Sequence, residues 1–336
     1  MALNETFTYD TEIRINESYI VIAVQNMAIL IPGLFLNILI LVVCLRPNKM
    51  PARFRLIVLG TTICNFTGMI FSMIFMTFYI YHYVSQTPST FFWCGLWRRA
   101  ATYMSLPSMN IVIVTSIDRY LHICRNIRVR ESRIVLSYIV LHVIAIFSVL
   151  VHIAYGGVSH EISCGPTISA PRYFHVFISF LWFTSIVVAF GFALKTMMYL
   201  VNYERANKIS GNFLRTGSWK EVLGRRPTVK RRIGQREVHV QKSIIMGIFI
   251  QGVLPLITVV MAATLVVNIF QLGRDLSFGY YMLFGFLYYS YYILSPLMSI
   301  IFGGPLRRAI VDCFKPSYEK LKLSTGTTNK SQIVAV

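Results

Sequence analysis

Two groups of residues in this chain have types and a spacing that could support chemistry. Cys94 and Cys164 are thiols that could form a disulfide bond, and Asp118-Arg119-Tyr120 places a carboxylate beside a guanidinium group. Cys94 and Arg119 lie 25 residues apart, which is roughly 38 Å along a helix and close to a bilayer with its interfaces, about 40–45 Å. This spacing predicts the cysteine at one membrane face and the charged triplet at the other. A charged triplet alone is also typical of an ordinary flank of a membrane helix.

Residues for catalysis or metal binding do not form a recognisable cluster in the sequence. His142 and His152 are ten residues apart on one apolar stretch, about 15 Å along a helix, and they have no acidic partner there. We interpret both histidines as outer-facing residues or as packing residues between helices. We therefore expect no metal site, no cofactor and no enzymatic activity.

The elements that must position Cys94 and Arg119 are predicted to be membrane helices. The 336 residues are 55% hydrophobic and only 13% charged, whereas soluble proteins carry about 25% charged residues. A net charge of +19 would also suit a nucleic-acid-binding protein. The basic residues, however, lie in short clusters between apolar runs, which is typical of cytoplasmic loops. We expect a multi-pass membrane protein with no nucleic-acid partner.

Seven apolar stretches are long enough to cross a bilayer, which predicts an all-α, seven-transmembrane helix bundle. They lie at residues 19–45, 56–83, 94–120, 134–155, 173–199, 243–270 and 276–302. Seven crossings put the termini on opposite sides, and 26 of the 32 Lys and Arg residues fall on one side. The positive-inside rule then places the amino terminus outside and the carboxyl terminus inside. Arg53 and Arg55 are assigned to the basic loop before the second span.

The segments that flank the bundle also carry signals. Residues 1–18 are polar and hold N-glycosylation sequons at Asn4 and Asn16, which favour an extracellular location. No basic segment precedes the first apolar run, so we expect no cleaved signal peptide. Cys94 and Cys164 are the two cysteines in predicted outer segments, where disulfides persist, although the sequence alone does not prove their connectivity.

The inner segments are basic and end in a polar tail. Residues 201–242 hold eleven Lys and Arg residues, which are expected to attract anionic lipid by about 1 kcal/mol per base near the surface. Residues 303–314 predict a short amphipathic helix on the inner surface, with Cys313 as a candidate for palmitoylation. Residues 315–336 are rich in Ser and Thr, which predicts a disordered cytoplasmic tail. Phosphorylation of this tail could dock arrestin.

The chain has the charged triplet, a cysteine 25 residues before Arg119 and a second cysteine in the next outer loop. With these features it resembles the rhodopsin-like G-protein-coupled receptors over residues 19–314. The resemblance implies that Asp118 holds Arg119, and that Arg119 engages a heterotrimeric G protein when the sixth helix moves outward. It also implies that Cys94 and Cys164 form the outer disulfide. The basic loop would then be part of a G-protein footprint.

Several residues inside the spans support the same resemblance. Asn37 matches the Asn of the family's first helix, while Phe249 and Pro255 match the Phe and the kink proline of the sixth. Ser295-Pro296 stands where the family has Asn-Pro in its seventh helix. Each proline removes a helical hydrogen bond and kinks its helix, which suits a pair of helices that pivot, although ordinary packing also accommodates such prolines.

Other positions depart from the family pattern. Val253 replaces the sixth-helix Trp, Ser299 replaces the Tyr of the seventh-helix motif, and the second span has no Asp. The family's sodium site is therefore doubtful, with Asn65 as a partial stand-in. These departures, and the Gly-Gly-Pro-Leu-Arg-Arg ending, resemble the divergent seven-transmembrane chemoreceptors of nematodes. That resemblance implies a role in olfaction at a plasma membrane, including sensory cilia.

The ligand region implied by the resemblance lies in the outer half of the bundle. Ala101 stands where amine receptors carry an Asp, and no acidic residue except Asp118 lies in a span, so an amine would lack a counter-ion. We expect a small, neutral or weakly polar ligand. The expected lining is apolar and aromatic with hydroxyl groups: Tyr103, Met104, Ser108, Tyr281, Phe284, Leu287 and Tyr288. Aromatic residues in a span also serve ordinary packing.

The main alternative is a seven-span ligand-gated channel or a small-solute transporter. Transporters often have internal repeats, broken helices and ionisable residues inside the membrane. The sequence has no visible repeat and few such residues. A chemosensory receptor that activates a heterotrimeric G protein is therefore the leading hypothesis.

Overall fold

The structure is a computed structural model that describes residues 10, 12–15, 17–46, 50–155, 158–159, 165–166, 172–215, 235–271 and 277–314. The described chain is mostly helical. The helices are α1 (Glu17–Leu45), α2 (Ala52–Val84), α3 (Phe91–Met104), α4 (Leu106–Cys124), α5 (Glu131–Tyr155), α6 (Arg172–Arg215), α7 (Gln235–Gln271), α8 (Phe278–Phe302) and α9 over residues 304–314. Two short antiparallel pairs join β1 (Glu12–Ile13) to β2 (Ser89–Thr90) and β3 (Val158–Ser159) to β4 (Gly165–Pro166).

Seven helical segments of the described chain are long and apolar enough to cross a membrane, and α3 with α4 counts as one of them. The predicted all-α, seven-transmembrane bundle is confirmed. The short helix predicted after the last span is also present as α9. Leu306 and Ala309 are buried against α1 and α2, while Val311 and Phe314 are exposed. This helix is therefore amphipathic, as the sequence indicates.

The third span forms the centre of the bundle. In its most apolar window 78% of the residues are buried, compared with 22% in the Glu131–Val151 span. Its second half, α4, contacts α2, α5, α6 and α7, while α1 packs on α2 and α8, and α7 packs between α6 and α8. Arg119 is therefore carried on the element that most other helices contact.

From the sequence, the third span was expected to be one continuous helix, but the structure divides it into two. α3 ends at Met104 and α4 begins at Leu106, with Ser105 between them. Pro107 has no N–H and so removes one helical hydrogen bond at this point. Ser105 Oγ donates to the carbonyl oxygen of Ala101 at 2.6 Å, and Ser108 Oγ donates to that of Ser105 at 2.7 Å. The two serines thus satisfy carbonyl groups at the break.

The second helix begins earlier than predicted. α2 starts at Ala52, directly after Pro51, so Arg53 and Arg55 lie in its first turn and not in a loop. Proline favours the start of a helix because it lacks the N–H that a helix leaves unpaired there. The assignment of both arginines to the basic loop was wrong, and this has consequences for Asp118.

Small residues bring α1 and α2 close to α8. A Cβ atom added at Gly33 would lie 3.1 Å from the carbonyl oxygen of Tyr292, and one added at Gly68 would lie 2.3 Å from its hydroxyl oxygen. The second distance is shorter than real Cβ contacts allow. Glycine at position 68 therefore makes room for the Tyr292 side chain in the bundle interior.

Candidate functional site

Asp118 and Arg119 lie near the end of α4, and both are buried, at 3% and 7% exposed. We name this part of the bundle the Arg119 end and the opposite part the Cys94 end. Asp118 forms an ion pair with Arg53 of α2, and Arg119 Nε lies 3.9 Å from Asp118 Oδ2. One buried carboxylate is thus shared between two guanidinium groups. This was not predicted, because Arg53 had been placed in a loop.

Tyr120 completes the triplet but faces another helix. Its ring centroid lies 5.0 Å from that of Phe192 on α6, and Lys195 Nζ lies 5.7 Å from the centroid of the Tyr120 ring. Arg125 Nε donates to its hydroxyl oxygen at 3.3 Å. Tyr120 therefore connects the end of α4 to α6, and none of these contacts involves Asp118.

A small cavity of about 50 Å³ lies beside Arg119. Residues of α2, α4, α7 and α8 line it: Phe54, Ile57, Val58, Thr61, Ile111, Thr115, Arg119, Ile244, Gly247, Ile248, Gln251, Met298, Ser299 and Phe302, together with Gly303. This volume suits a few water molecules and excludes a protein segment. Arg119 thus already lies beside a space between the helices, but that space is narrow.

Contacts near this cavity join α7 to its neighbours. Ser243 Oγ donates to the carbonyl oxygen of Phe302 at 3.1 Å, and a Cβ atom at Gly247 would lie 2.8 Å from Phe302 Cβ. Lys242 of α7 forms an ion pair with Glu204 of α6. At the Arg119 end, α7 is therefore held against both α6 and α8.

Gln251 links the two helices that contain Pro255 and Pro296. Its Nε2 donates to the carbonyl oxygen of Ser295 at 3.0 Å and to Ser299 Oγ at 3.1 Å. Pro255 lies inside α7, one turn from Gln251, and Pro296 lies inside α8. The prolines were singled out from the sequence as switch residues and Gln251 was not, although a Gln inside an apolar span, one helical turn before a proline, was a usable signal.

Phe249 does not line the cavity beside Arg119. Its ring packs edge-on against Phe190 of α6, with the centroids 4.8 Å apart, and its side chain is 37% exposed. The structure thus places Phe249 at the contact between α6 and α7.

A polar network joins α1, α2 and α8 in the middle of the bundle. Asn37 Nδ2 donates to the carbonyl oxygens of Gly33 at 2.8 Å and Tyr292 at 3.2 Å. Asn65 Nδ2 lies 3.2 Å from Asn37 Oδ1 and 3.3 Å from Ser295 Oγ, and it donates to both. The described residues contain no group of three or more His, Cys, Asp or Glu side chains that could hold a metal ion.

The outer cysteine pair can be described only in part. Cys94 is fully buried at the start of α3, with its sulfur 3.7 Å from the hydroxyl oxygen of Tyr79. Cys164, Asn4 and Asn16 lie outside the described residues. Within those residues Cys44, Cys64, Cys124 and Cys313 are free thiols.

The residues expected to line a ligand pocket are only partly brought together. Tyr288 is buried and donates to the carbonyl oxygen of Thr102 at 3.3 Å, and its ring lies 5.7 Å from that of Phe284. Met104 is also buried, and Tyr281 is half-buried.

Tyr103 and Ser108 have other neighbours. Tyr103 packs against Leu106, Val149 and Trp182, on the side of α5 and α6. Ser108 is fully buried, and its carbonyl oxygen accepts a hydrogen bond of 2.8 Å from Tyr291. Tyr103 therefore lies away from the contact between Tyr288 and Thr102.

Sequence comparison places most of the chain in one family. The family model of the 7 transmembrane receptor (rhodopsin family) matches residues 36–298, which include α4 with Asp118 and Arg119, the α7 proline and most of α8. No curated protein matches the sequence.

Proposed function

This chain belongs to the rhodopsin family of seven-transmembrane receptors, and we propose that it activates a heterotrimeric G protein through its Arg119 end. Membership makes the chain a multi-pass membrane receptor of a family that is generally not enzymatic. The proposal adds the partner and the surface that binds it. We place the Arg119 end in the cytoplasm, as the charge asymmetry of the sequence favours.

The observation that carries this proposal is the narrow cavity beside buried Arg119. A helix is about 10–12 Å wide with its side chains, so a helical segment of a partner cannot enter about 50 Å³. Entry needs α7 to move away from α4 and α8. Such a movement separates Ser243 and Gln251 from α8 and exposes Arg119.

The receptor would then exchange two states of the bundle. In the closed state α7 contacts α8 and α6 at the Arg119 end. In the open state Arg119 faces a wider cleft that the G protein occupies. A ligand shifts this equilibrium only if it binds the open state more tightly. Asp118, Tyr120, Phe249, Pro255 and Pro296 belong to this switch in the proposal.

We place the ligand at the Cys94 end, near Phe284 and Tyr288, with Tyr103, Met104, Ser108 and Tyr281 as further candidate lining residues. A disulfide between Cys94 and Cys164 would fix the outer loop above this region. Departures from the family pattern at Val253, Ser295 and Ser299 support a divergent chemosensory receptor, similar to those of nematodes. The corresponding location is the plasma membrane of sensory cilia.

The remaining proposals concern the flanking segments. Arrestin would bind the phosphorylated tail, and anionic lipid would contact the basic inner segments. Cys313 is a free, partly exposed thiol on the amphipathic helix α9 and is a candidate for palmitoylation. Asn4 and Asn16 would carry glycans.

The test is to express the receptor at a cell surface and record G-protein dissociation during application of volatile and soluble small molecules. Arg119→Ala is compared with Arg14→Ala, which removes an exposed arginine at the Cys94 end. We expect a response in the parent and in Arg14→Ala that disappears in Arg119→Ala at equal surface level. A solute flux or a current that persists in Arg119→Ala would instead support the channel or transporter.

A further inference from the structure

Arg98 is a cation at the Cys94 end that the receptor proposal does not use. It lies on α3, one turn after Cys94, and is partly buried. Its guanidinium carbon lies 5.9 Å from the centroid of the Phe75 ring on α2. The charge of Arg98 also reaches the hydroxyl of Tyr79, one helical turn after Phe75 on α2. Arg98 therefore faces α2 and the bundle interior.

Aromatic residues of a third helix complete these surroundings. Tyr288 and Tyr289 of α8 belong to the same buried cluster as Phe75 and Tyr79, and the charge of Arg98 also reaches their hydroxyl groups. The four aromatic side chains around Arg98 are each less than 10% exposed. We name this group, formed by Phe75, Tyr79, Arg98, Tyr288 and Tyr289, the Arg98 site.

The Arg98 site lacks a negative charge in the part of the chain that the structure describes. The ion pairs found there lie at the Arg119 end, between Arg53 and Asp118, Arg119 and Asp118, and Lys242 and Glu204. A cation held against aromatic faces loses hydration, and the attraction of an aromatic ring offsets only part of this cost. An anion at this point would offset more.

We propose that the Arg98 site binds the carboxylate of a small organic acid, with the apolar part of the acid packed against the surrounding aromatic rings. The guanidinium fork matches a carboxylate in geometry and can donate two parallel hydrogen bonds to it. The hydroxyl groups of Tyr79 and Tyr289 are further candidate donors, whereas that of Tyr288 already donates to the carbonyl oxygen of Thr102. Arg98 is itself partly exposed, and the carboxylate would approach it from that side.

This inference rests on the proposed receptor function and changes the expected ligand class. A neutral ligand was expected because the spans contain almost no acidic residue. That absence argues against an amine, but it says nothing against an anion. Arg98 was not among the lining residues expected from the sequence, so its orientation toward α2 and α8 was not considered.

Binding can be measured without a G protein. The full-length receptor is purified into nanodiscs of phosphatidylcholine, so that no anionic lipid is present, and its thermal unfolding is followed. The probes are straight-chain monocarboxylates from hexanoate to dodecanoate and the primary amides of the same chain lengths. We expect at least one acid to raise the unfolding temperature through preferential binding to the folded state, and its amide to have little effect.

Variants of Arg98 separate charge recognition from a merely apolar pocket. Arg98→Gln should weaken binding of the acid by about 10- to 100-fold, the loss expected for hydrogen bonds to a charged group. Arg98→Lys keeps the charge and should restore part of the binding, and it also shows whether this position tolerates change. Arg14→Gln removes an exposed arginine at the same end and should bind the acid like the parent.

Three results would overturn the proposal: equal effects of acid and amide, full binding by Arg98→Gln, or no effect of any acid on a parent that unfolds cooperatively. Failure of G-protein coupling is a separate result. Acid binding that depends on Arg98, without any G-protein response, would support the site and contradict the coupling proposal. A G-protein response to neutral compounds alone would support the coupling proposal and contradict the Arg98 site.

Discussion

Arg53 at the start of α2 and Asp118 near the end of α4 form an ion pair, and Arg119 lies on the other side of the same carboxylate, 3.9 Å away. The two guanidinium groups therefore compete for one buried anion, and they also repel each other. Any change in the contact between Arg53 and Asp118 alters how firmly Asp118 holds Arg119.

Arg53→Gln should lower receptor-stimulated nucleotide exchange on a G protein. Without Arg53, the Asp118 carboxylate is free to move toward Arg119 and retain it in the closed state. If the competition amounts to about 1 kcal/mol, exchange falls about fivefold. The assay uses purified receptor in nanodiscs with a heterotrimeric G protein and labelled nucleotide. Asp118→Asn should have the opposite effect, because it weakens the hold on Arg119.

Arg55→Gln is the matched control for Arg53. Arg55 lies two residues further along the first turn of α2, and Asp118 does not pair with it. Its removal should leave exchange close to that of the parent. Equal losses in both variants would show that the basic surface matters and that the ion pair does not.

Asn65→Asp should lower the free energy of unfolding by about 1–3 kcal/mol. Asn65 Nδ2 donates to Asn37 Oδ1 and Ser295 Oγ, whereas an ionised carboxylate only accepts and would face the amide oxygen of Asn37. Thermal unfolding is measured in sodium and in potassium salts at equal ionic strength. Recovery of the parent's stability in sodium but not in potassium would show that the new carboxylate creates a cation site. A stability equal to that of the parent in both salts would contradict the described hydrogen bonds.

Gln251→Leu should lower the free energy of unfolding by about 1–2 kcal/mol and raise basal nucleotide exchange several-fold. The change removes two hydrogen bonds that join α7 to α8 beside the cavity. Gln25→Leu is the control, because Gln25 Nε2 donates to the carbonyl oxygen of Met282 at 3.0 Å and joins α1 to α8 instead. It should lower stability without raising exchange. Unchanged exchange in Gln251→Leu would remove Gln251 from the switch.

Gly68→Ala should destabilise the bundle by about 1–3 kcal/mol because the new Cβ overlaps the Tyr292 hydroxyl. Tyr292→Phe in the same chain removes the overlapping oxygen and should recover part of the loss, since the new Cβ still lies 3.1 Å from Ser105 Cα and 3.2 Å from Tyr292 Cζ. Gly191→Ala is the control, since a Cβ there meets no atom within 4 Å, and a helical alanine is favoured by about 0.5–1 kcal/mol. Thermal unfolding of the purified variants measures all three. Equal stability of Gly68→Ala and Gly191→Ala would contradict the close approach of α2 and α8.

The positions of the seven helices could be predicted because apolarity over a window of one span is a local property of the sequence. Their ends could not be predicted equally well. α6 continues to Arg215 and α7 begins at Gln235, beyond the predicted spans, because polar residues can continue a helix past the apolar segment. For the same reason Arg53 was assigned to a loop from the sequence, although it lies in the first turn of α2.

The contacts at the candidate site depend on packing between distant segments. Arg53 and Asp118 are 65 positions apart, and Gln251 and Ser295 are 44 apart. The resemblance singled out Asp118, Arg119, Pro255 and Pro296 individually. Which side chain faces which helix is decided by helix rotation, and a charge pattern along the sequence does not fix this rotation.

At Ser105 the helical hydrogen-bond pattern of the central span is interrupted, while the backbone angles, φ −83° and ψ −18°, stay in the helical region. Close to this point, the hydroxyl of Tyr291 on α8 donates a hydrogen bond to the carbonyl oxygen of Ser108, three residues after Ser105. A displacement of α8 at this level would therefore act directly on the backbone of α4, just beyond Ser105.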